Sequence, residues 1–326
     1  MPWKLTALTF CTVVSAITFA SLRSVPGQLG TFTRIVTVPS GHVAKNCDGG
    51  LQVAELVVEL PAEGDLAGWE RLALDVSSAL DCTVWTTPGD NLMKTMGLTR
   101  GLVQHADDLR AAKKPAAGVE VLLDLWALGQ NLQDGTLVQQ AIGLAIQRYA
   151  VDPLFAMGQD LPVQRQRELV EPILDQIDRS PPLSFVGEQE YLSTMGAGVW
   201  SLAVPFCRAG SQSAAERLEP ALISVGPERF AKVRLAPHEE PWTRLNVASM
   251  CRTGAMRVMA HHIWDRAELL QEAATMATNF ALQDACPQDL SLMMSRVPVD
   301  PATGAALTYA DCAVKPADFP DRPDWR

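Results

Sequence analysis

Basic charge is what this sequence is short of. Lys and Arg number 27 against 37 Asp and Glu, a formal net charge of -10 and a pI near 5.0. A nucleic-acid binder needs a basic face that displaces counterions from phosphates, so that class of partner is excluded. The two local basic groupings, Arg110 with Lys113 and Lys114, and Arg165 with Arg167, read as solvated helix faces, with anion binding as the rival reading. Metal-ligand spacing is also missing: no CxxC occurs, and no two of the five histidines stand four residues apart. There is no GxSxG elbow and no glycine-rich loop between a strand and a helix. No catalytic, cofactor-binding or metal-binding residue can therefore be named from motif, and no cofactor is implied.

The remaining histidines have ordinary readings. His238-Glu239-Glu240 resembles half of a zinc-protease motif, but Trp242 stands where the second histidine belongs, which leaves a solvated loop. His261 and His262 are adjacent, so on a helix they point about 100° apart and cannot share a ligand face. His262 lies on an apolar stripe and reads as a satisfied core histidine. His105, near Asp107 and Asp108, reads as charge on an exposed helix face. Tyrosine is scarce, three residues against eight tryptophans. Trp126, Trp200 and Trp264 fall inside helical patterns and read as core. Trp85 and Trp242 lie by turns, and with His238 they are candidates to line a groove.

What the chain has in quantity is helical periodicity. Hydrophobic residues make up 48% of it and charged residues 20%, ample for one large core or two ordinary ones. Val138, Ala141, Ile142, Ala145, Ile146 and Tyr149 fall on one helical face, while Gln139, Gln140, Gln147 and Arg148 point elsewhere. Val121 to Leu132 is apolar nearly all round, as suits a helix covered on several sides, and Gln130 to Gly135 makes the turn between the two. Leu169, Val170, Ile173, Leu174 and Ile177 repeat the stripe. Upstream, Asp65 is placed to cap a helix through Leu80. Asp90 or Asn91 caps another that runs to about Ala112 and is ended by Lys113-Lys114-Pro115. Downstream, a helix is expected from Leu183 to about Val204, and Arg208 to Trp242 reads as short helices and loops. The longest periodic run follows, from Val247 through His262 to Phe280, as one helix or two joined near Trp264. The fold class expected is mainly α: a stacked, repeat-like array of helical hairpins, with a small β or irregular membrane-proximal segment and a turn-rich C-terminal tail.

The ends of the chain carry its address. Lys4 precedes an uncharged run over residues 5–22, closed by Arg23. Eighteen residues at ~1.5 Å each span about 27 Å, enough to cross a bilayer core. A signal anchor is expected, with a signal peptide cleaved near Ala20 as the alternative. Leu8-Thr9-Phe10-Cys11 is not a lipidation site, because bulky Phe10 sits where a small residue is needed. Beyond Cys11, six cysteines remain, Cys47, Cys82, Cys207, Cys251, Cys286 and Cys312, an even count that fits an oxidising compartment. Pairing in chain order is expected, foremost Cys286 with Cys312 in the tail; buried free thiols are the rival. The domain reading is an anchor or signal peptide (1–24), a membrane-proximal segment (25–64), an α-helical domain (65–284) and a disulfide-stapled tail (285–326).

In the tail, Asp300-Pro301-Ala302-Thr303-Gly304 is a turn, with proline presetting φ and glycine free to take φ > 0, before a short extended segment. A long helix followed by Val297-Pro298-Val299-Asp300-Pro301, Thr303-Gly304, Leu307 and Tyr309, a VPxDPxTGxxLxY ending, resembles a widespread set of uncharacterised bacterial envelope proteins. Those have an N-terminal membrane segment and an α-helical body. A similar PxDPWGxxYxY ending occurs in pseudopilins of type II secretion, but no prepilin-type processing site precedes Leu5 here and the body is far longer. The resemblance implies an envelope location, inner-membrane anchored with the body on the periplasmic side, and transfers no catalytic residue. The function expected is a membrane-anchored extracytoplasmic scaffold that binds a protein or peptide. The alternative is an extracytoplasmic hydrolase with a site in residues 208–242 against the 247–283 helix.

Overall fold

A computed structural model of the chain describes residues 59–62, 64–80, 92–134, 137–180, 217–218, 221, 224–235 and 247–322. The fold is mainly α. The helices are α1 (Leu66–Ala79), α2 (Leu92–Ala111), α3 (Pro115–Asn131), α4 (Leu137–Gly158), α5 (Val163–Glu168), α6 (Val170–Asp178), α7 (Gly226–Leu235) and α8 (Val247–Leu282). Asp65 caps α1 as expected, its carboxylate accepting from the Gly68 amide at 3.0 Å. The Lys113-Lys114-Pro115 break is a tight corner: Lys113 takes φ 61°, and Pro115 opens α3 at its first position, where the missing N–H has no helical partner to lose. The 247–282 run is one uninterrupted helix. The expected 183–204 helix and the segments 1–24 and 25–58 lie outside the described residues. Among the described residues no helix is long and apolar enough to cross a membrane.

Packing centres on the α3–α4 pair, with α2 against α3 and α8 against α6. This main core includes Leu102, Leu122, Trp126, Leu154, Ile173 and Phe280. The face that α4 buries differs from the apolar stripe. Gln140 and Gln147 are 2% exposed and Tyr149 is 43% exposed. The cause is a glycine contact. A Cβ on Gly129 would lie 2.6 Å from the Gly143 carbonyl oxygen, so the two backbones approach closely only because both residues lack one. The turn of α4 around Gly143 is drawn onto α3, which carries the neighbouring glutamines inward, where Gln133 donates its amide to Gln147. His105 also departs from expectation: it is buried, not on an exposed face.

The two small sheets belong to the tail. β1 (Val299–Asp300) pairs antiparallel with β2 (Ala305–Ala306), and β3 (Thr308–Ala310) with β4 (Ala313–Lys315). The conspicuous tail residues each have a local task. The amides of Thr303 and Gly304 donate to the Asp300 carbonyl at 3.2 and 2.7 Å, and Leu307 N donates to Pro298 O at 3.1 Å. Gly304 takes φ 71°, and Leu307 is buried.

Candidate functional site

α8 serves two cores. Its C-terminal half, with Leu269, Ala273, Ala277 and Phe280, belongs to the main core. Its N-terminal half, with Met256, Met259, Ile263 and Trp264, forms a second core with Leu218, Ala221, Phe230 and Val233. The Phe230 ring on α7 meets Trp264 edge-on at 4.8 Å, and Phe319 from the tail closes against Phe230 at 5.2 Å. The second core lies in the stretch where the residues 208–242 reading places short helices against the 247–283 helix.

The tail is clasped over this core by one carboxylate. Asp300 is buried and accepts from Gln271 Nε2 at 2.8 Å, Ala302 N at 2.9 Å and Ala317 N at 2.8 Å. Gln271 donates to Ala317 O as well, at 2.8 Å. Further along, Arg322 pairs with Asp265 at 2.6 Å and approaches His261 Nδ1 at 2.9 Å. Gly226, at φ 58°, opens α7 directly against the tail turn: a Cβ there would stand 2.5 Å from the Thr303 carbonyl carbon. The tail strands, α7 and α8 are thus tied together through Asp300, Gln271, Gly226 and Arg322.

Cation burial sets the electrostatics. Arg266 is 5% exposed, and its guanidinium is pushed down to about 9, first by burial and then by Arg229. Arg229 on α7 is itself lowered by burial, and its Nε is buried without a hydrogen-bond partner. One turn before Arg266, His262 is 3% exposed, and neither ring nitrogen has a partner. Burial, then Arg266, holds its pKa down to about 3, so the ring is neutral near pH 7. The satisfied core histidine expected from the stripe is in fact a buried and unsatisfied one. Nearby carboxylates are engaged elsewhere: Glu228 with Lys232 at 2.7 Å, Asp265 with Arg322, and Glu268 with Arg148 at 3.6 Å.

Cys286 and Cys312 stand at disulfide distance, with Cα atoms 4.9 Å apart. Cys312 sits in the β3–β4 turn at φ 62°, after Asp311 at φ 55°, and the Tyr309 hydroxyl donates to Cys286 Sγ at 3.6 Å. Cys251 is on α8. Cys47, Cys82 and Cys207 lie outside the described residues, and so do Trp85, Trp242 and His238, the residues expected to line a groove. Arg229 and Arg266 carry no motif. The available signal was an arginine four residues after His262 on an otherwise apolar stripe, since a cation in that position must be matched or functional. Among the described residues no three His, Cys, Asp or Glu side chains gather in a way that could hold a metal ion. No family model, no curated protein and no solved structure matches this chain.

Proposed function

We propose that this chain is an envelope-anchored helical scaffold that binds a protein or peptide partner, with the anchor in residues 5–22 and the body on the periplasmic side. The observation that carries the reading is the second core. There an aromatic pair, Phe230 and Trp264, packs beside Arg229, whose Nε is buried without a hydrogen-bond partner, and a tail is fastened across the same elements. The Cys286–Cys312 pair at disulfide distance is in keeping with an oxidising compartment. Crosslinking and pull-down from native membranes, read by mass spectrometry under non-reducing conditions, tests the reading. A protein partner recovered with the chain supports it; a small molecule recovered in place of any protein removes its main support.

A further inference from the structure

Beyond β4 the tail forms no regular element, and residues 316–322 lie against α8 as a strap. Its attachments are uneven. Ala317 is pinned on both sides, its amide donating to Asp300 Oδ2 at 2.8 Å and its carbonyl accepting from Gln271 at 2.8 Å. Past that point two side chains do the holding among the described contacts. The half-buried Phe319 ring meets Phe230 of α7 edge-on at 5.2 Å. Arg322 bonds Asp265 of α8 at 2.6 Å and approaches His261 Nδ1 at 2.9 Å. Asp318, Pro320, Asp321 and Arg322 are themselves exposed. One ring contact and one solvent-facing ion pair hold a segment weakly, so this is the part of the tail that opens first. Opening after Ala317 costs the clasp nothing, because Asp300 keeps its bonds from Gln271, Ala302 and Ala317.

We propose that Phe230 and Asp265 form a docking site for a basic peptide carrying an aromatic residue three positions before an arginine, and that residues 318–322 occupy the site until such a peptide displaces them. The strap shows the chemistry that fits: a ring to cover Phe230, which is otherwise buried, and a guanidinium for the Asp265 carboxylate. It also shows how a competitor improves on it. Residues 318–322 carry Asp318 and Asp321 against Arg322, one base less two acids, a net charge of -1 in a chain of net charge -10. A segment with the same ring and guanidinium, but with lysines in place of the two acids, gains long-range attraction to the whole acidic molecule. The proposal rests on the binding reading above and deepens it by giving the partner's chemistry and the contact that keeps the site closed.

The test uses the purified full chain at pH 7 and one probe, a fluorescein-labelled Lys-Phe-Pro-Lys-Arg peptide flanked by Gly-Ser, read by fluorescence anisotropy. The strap competes as an intramolecular ligand at an effective concentration on the order of millimolar. Phe319→Ala combined with Arg322→Gln is therefore expected to bind the probe at least about tenfold tighter than the wild type. Changing the probe's arginine to glutamate is expected to remove the gain, and Asp265→Lys to restore binding of that glutamate probe. Equal binding of the original probe to the wild type and the double variant, or binding to neither, overturns the proposal. A second measurement needs no weakened contact: 4-fluorophenylalanine replaces Phe319 in the otherwise wild-type chain, and its fluorine resonance is followed as unlabelled probe is added. Displacement is expected to move the signal to that of a solvent-exposed ring; a signal unmoved at every probe concentration overturns the proposal. A chain that runs as a dimer and refuses the probe seats the strap on a second copy, which overturns it too. If the probe binds as expected but the pull-down returns no protein, the docking site stands and the native protein partner falls. If a protein is captured while the probe fails, the reverse holds.

Discussion

The two cores along α8 bury polar groups of different kinds. In the main core each of three buried glutamines makes one bond, Gln133 to Gln147, Gln166 to Leu161 O at 2.8 Å and Gln130 to Gln176 O at 3.0 Å, while their Oε1 atoms and His105 Nδ1 have no partner. In the second core His262 and the Nε of Arg229 are left without one. Main-core glutamines are uncharged and short of partners by single oxygen atoms at most, which costs little. Second-core cations carry a full charge into low dielectric, which costs far more. The two cores thus differ in the charge they bury and not in whether every polar atom is matched.

Substitutions across the two cores break this comparison to different extents. Trp126→Ala is expected to have the largest effect, a loss of about 4 kcal/mol from cavity formation in the main core, measured by urea unfolding. Asp300→Ala follows, with a loss of about 3 kcal/mol, because it strands the Gln271 amide and the amides of Ala302 and Ala317 in buried surroundings. Its separate signature is faster hydrogen exchange confined to residues 299–322. Gly143→Ala is expected to cost about 2 kcal/mol by pushing α3 and α4 apart. In the second core the sign reverses: Arg229→Gln is expected to stabilise by about 1 kcal/mol, because it removes repulsion with buried Arg266.

His262 also gives the second core a pH dependence of its own. Its folded pKa of about 3 lies below the ordinary 6.5, so the unfolded state binds the proton first as pH falls. The contribution is fully present above about 6.5 and is lost progressively between that value and about 3. Acid titration of stability in the wild type is expected to be steeper over this window than in His262→Gln. Identical slopes would remove the histidine from the account.

Much of the scaffold was legible because it is local. The Asp65 cap, the corner at Pro115, the helical run of α8, though not whether it is one helix or two, and the turn ending in Gly304 rest on propensity and φ preference, which a sequence displays directly. The Cys286–Cys312 approach was legible from a turn-rich tail bounded by two cysteines. The face of α4 was not. Which side of that helix turns inward depends on Gly143 meeting Gly129, a tertiary contact invisible to a count of apolar residues, and so Gln140 and Gln147 were assigned outward. His105 was lost for a similar reason: its neighbours Asp107 and Asp108 argued for solvent, while the packing of α1 on α2 buries it. The candidate site was the least legible part. The expectation that residues 208–242 lie against the 247–283 helix located the region, but its arginines come from two helices and no spacing in the chain announces that Arg229 comes near Arg266.

The direct measurement is site-specific photo-crosslinking in native membranes from two exposed apolar positions, Val225 beside α7 and Leu74 on α1, which are 62% and 66% exposed. If the second core is the binding side, the probe at Val225 yields a discrete crosslinked species that Arg229→Gln diminishes, and the probe at Leu74 yields none. Equal products from both positions, or a product from Leu74 alone, would contradict the assignment of function to the second core.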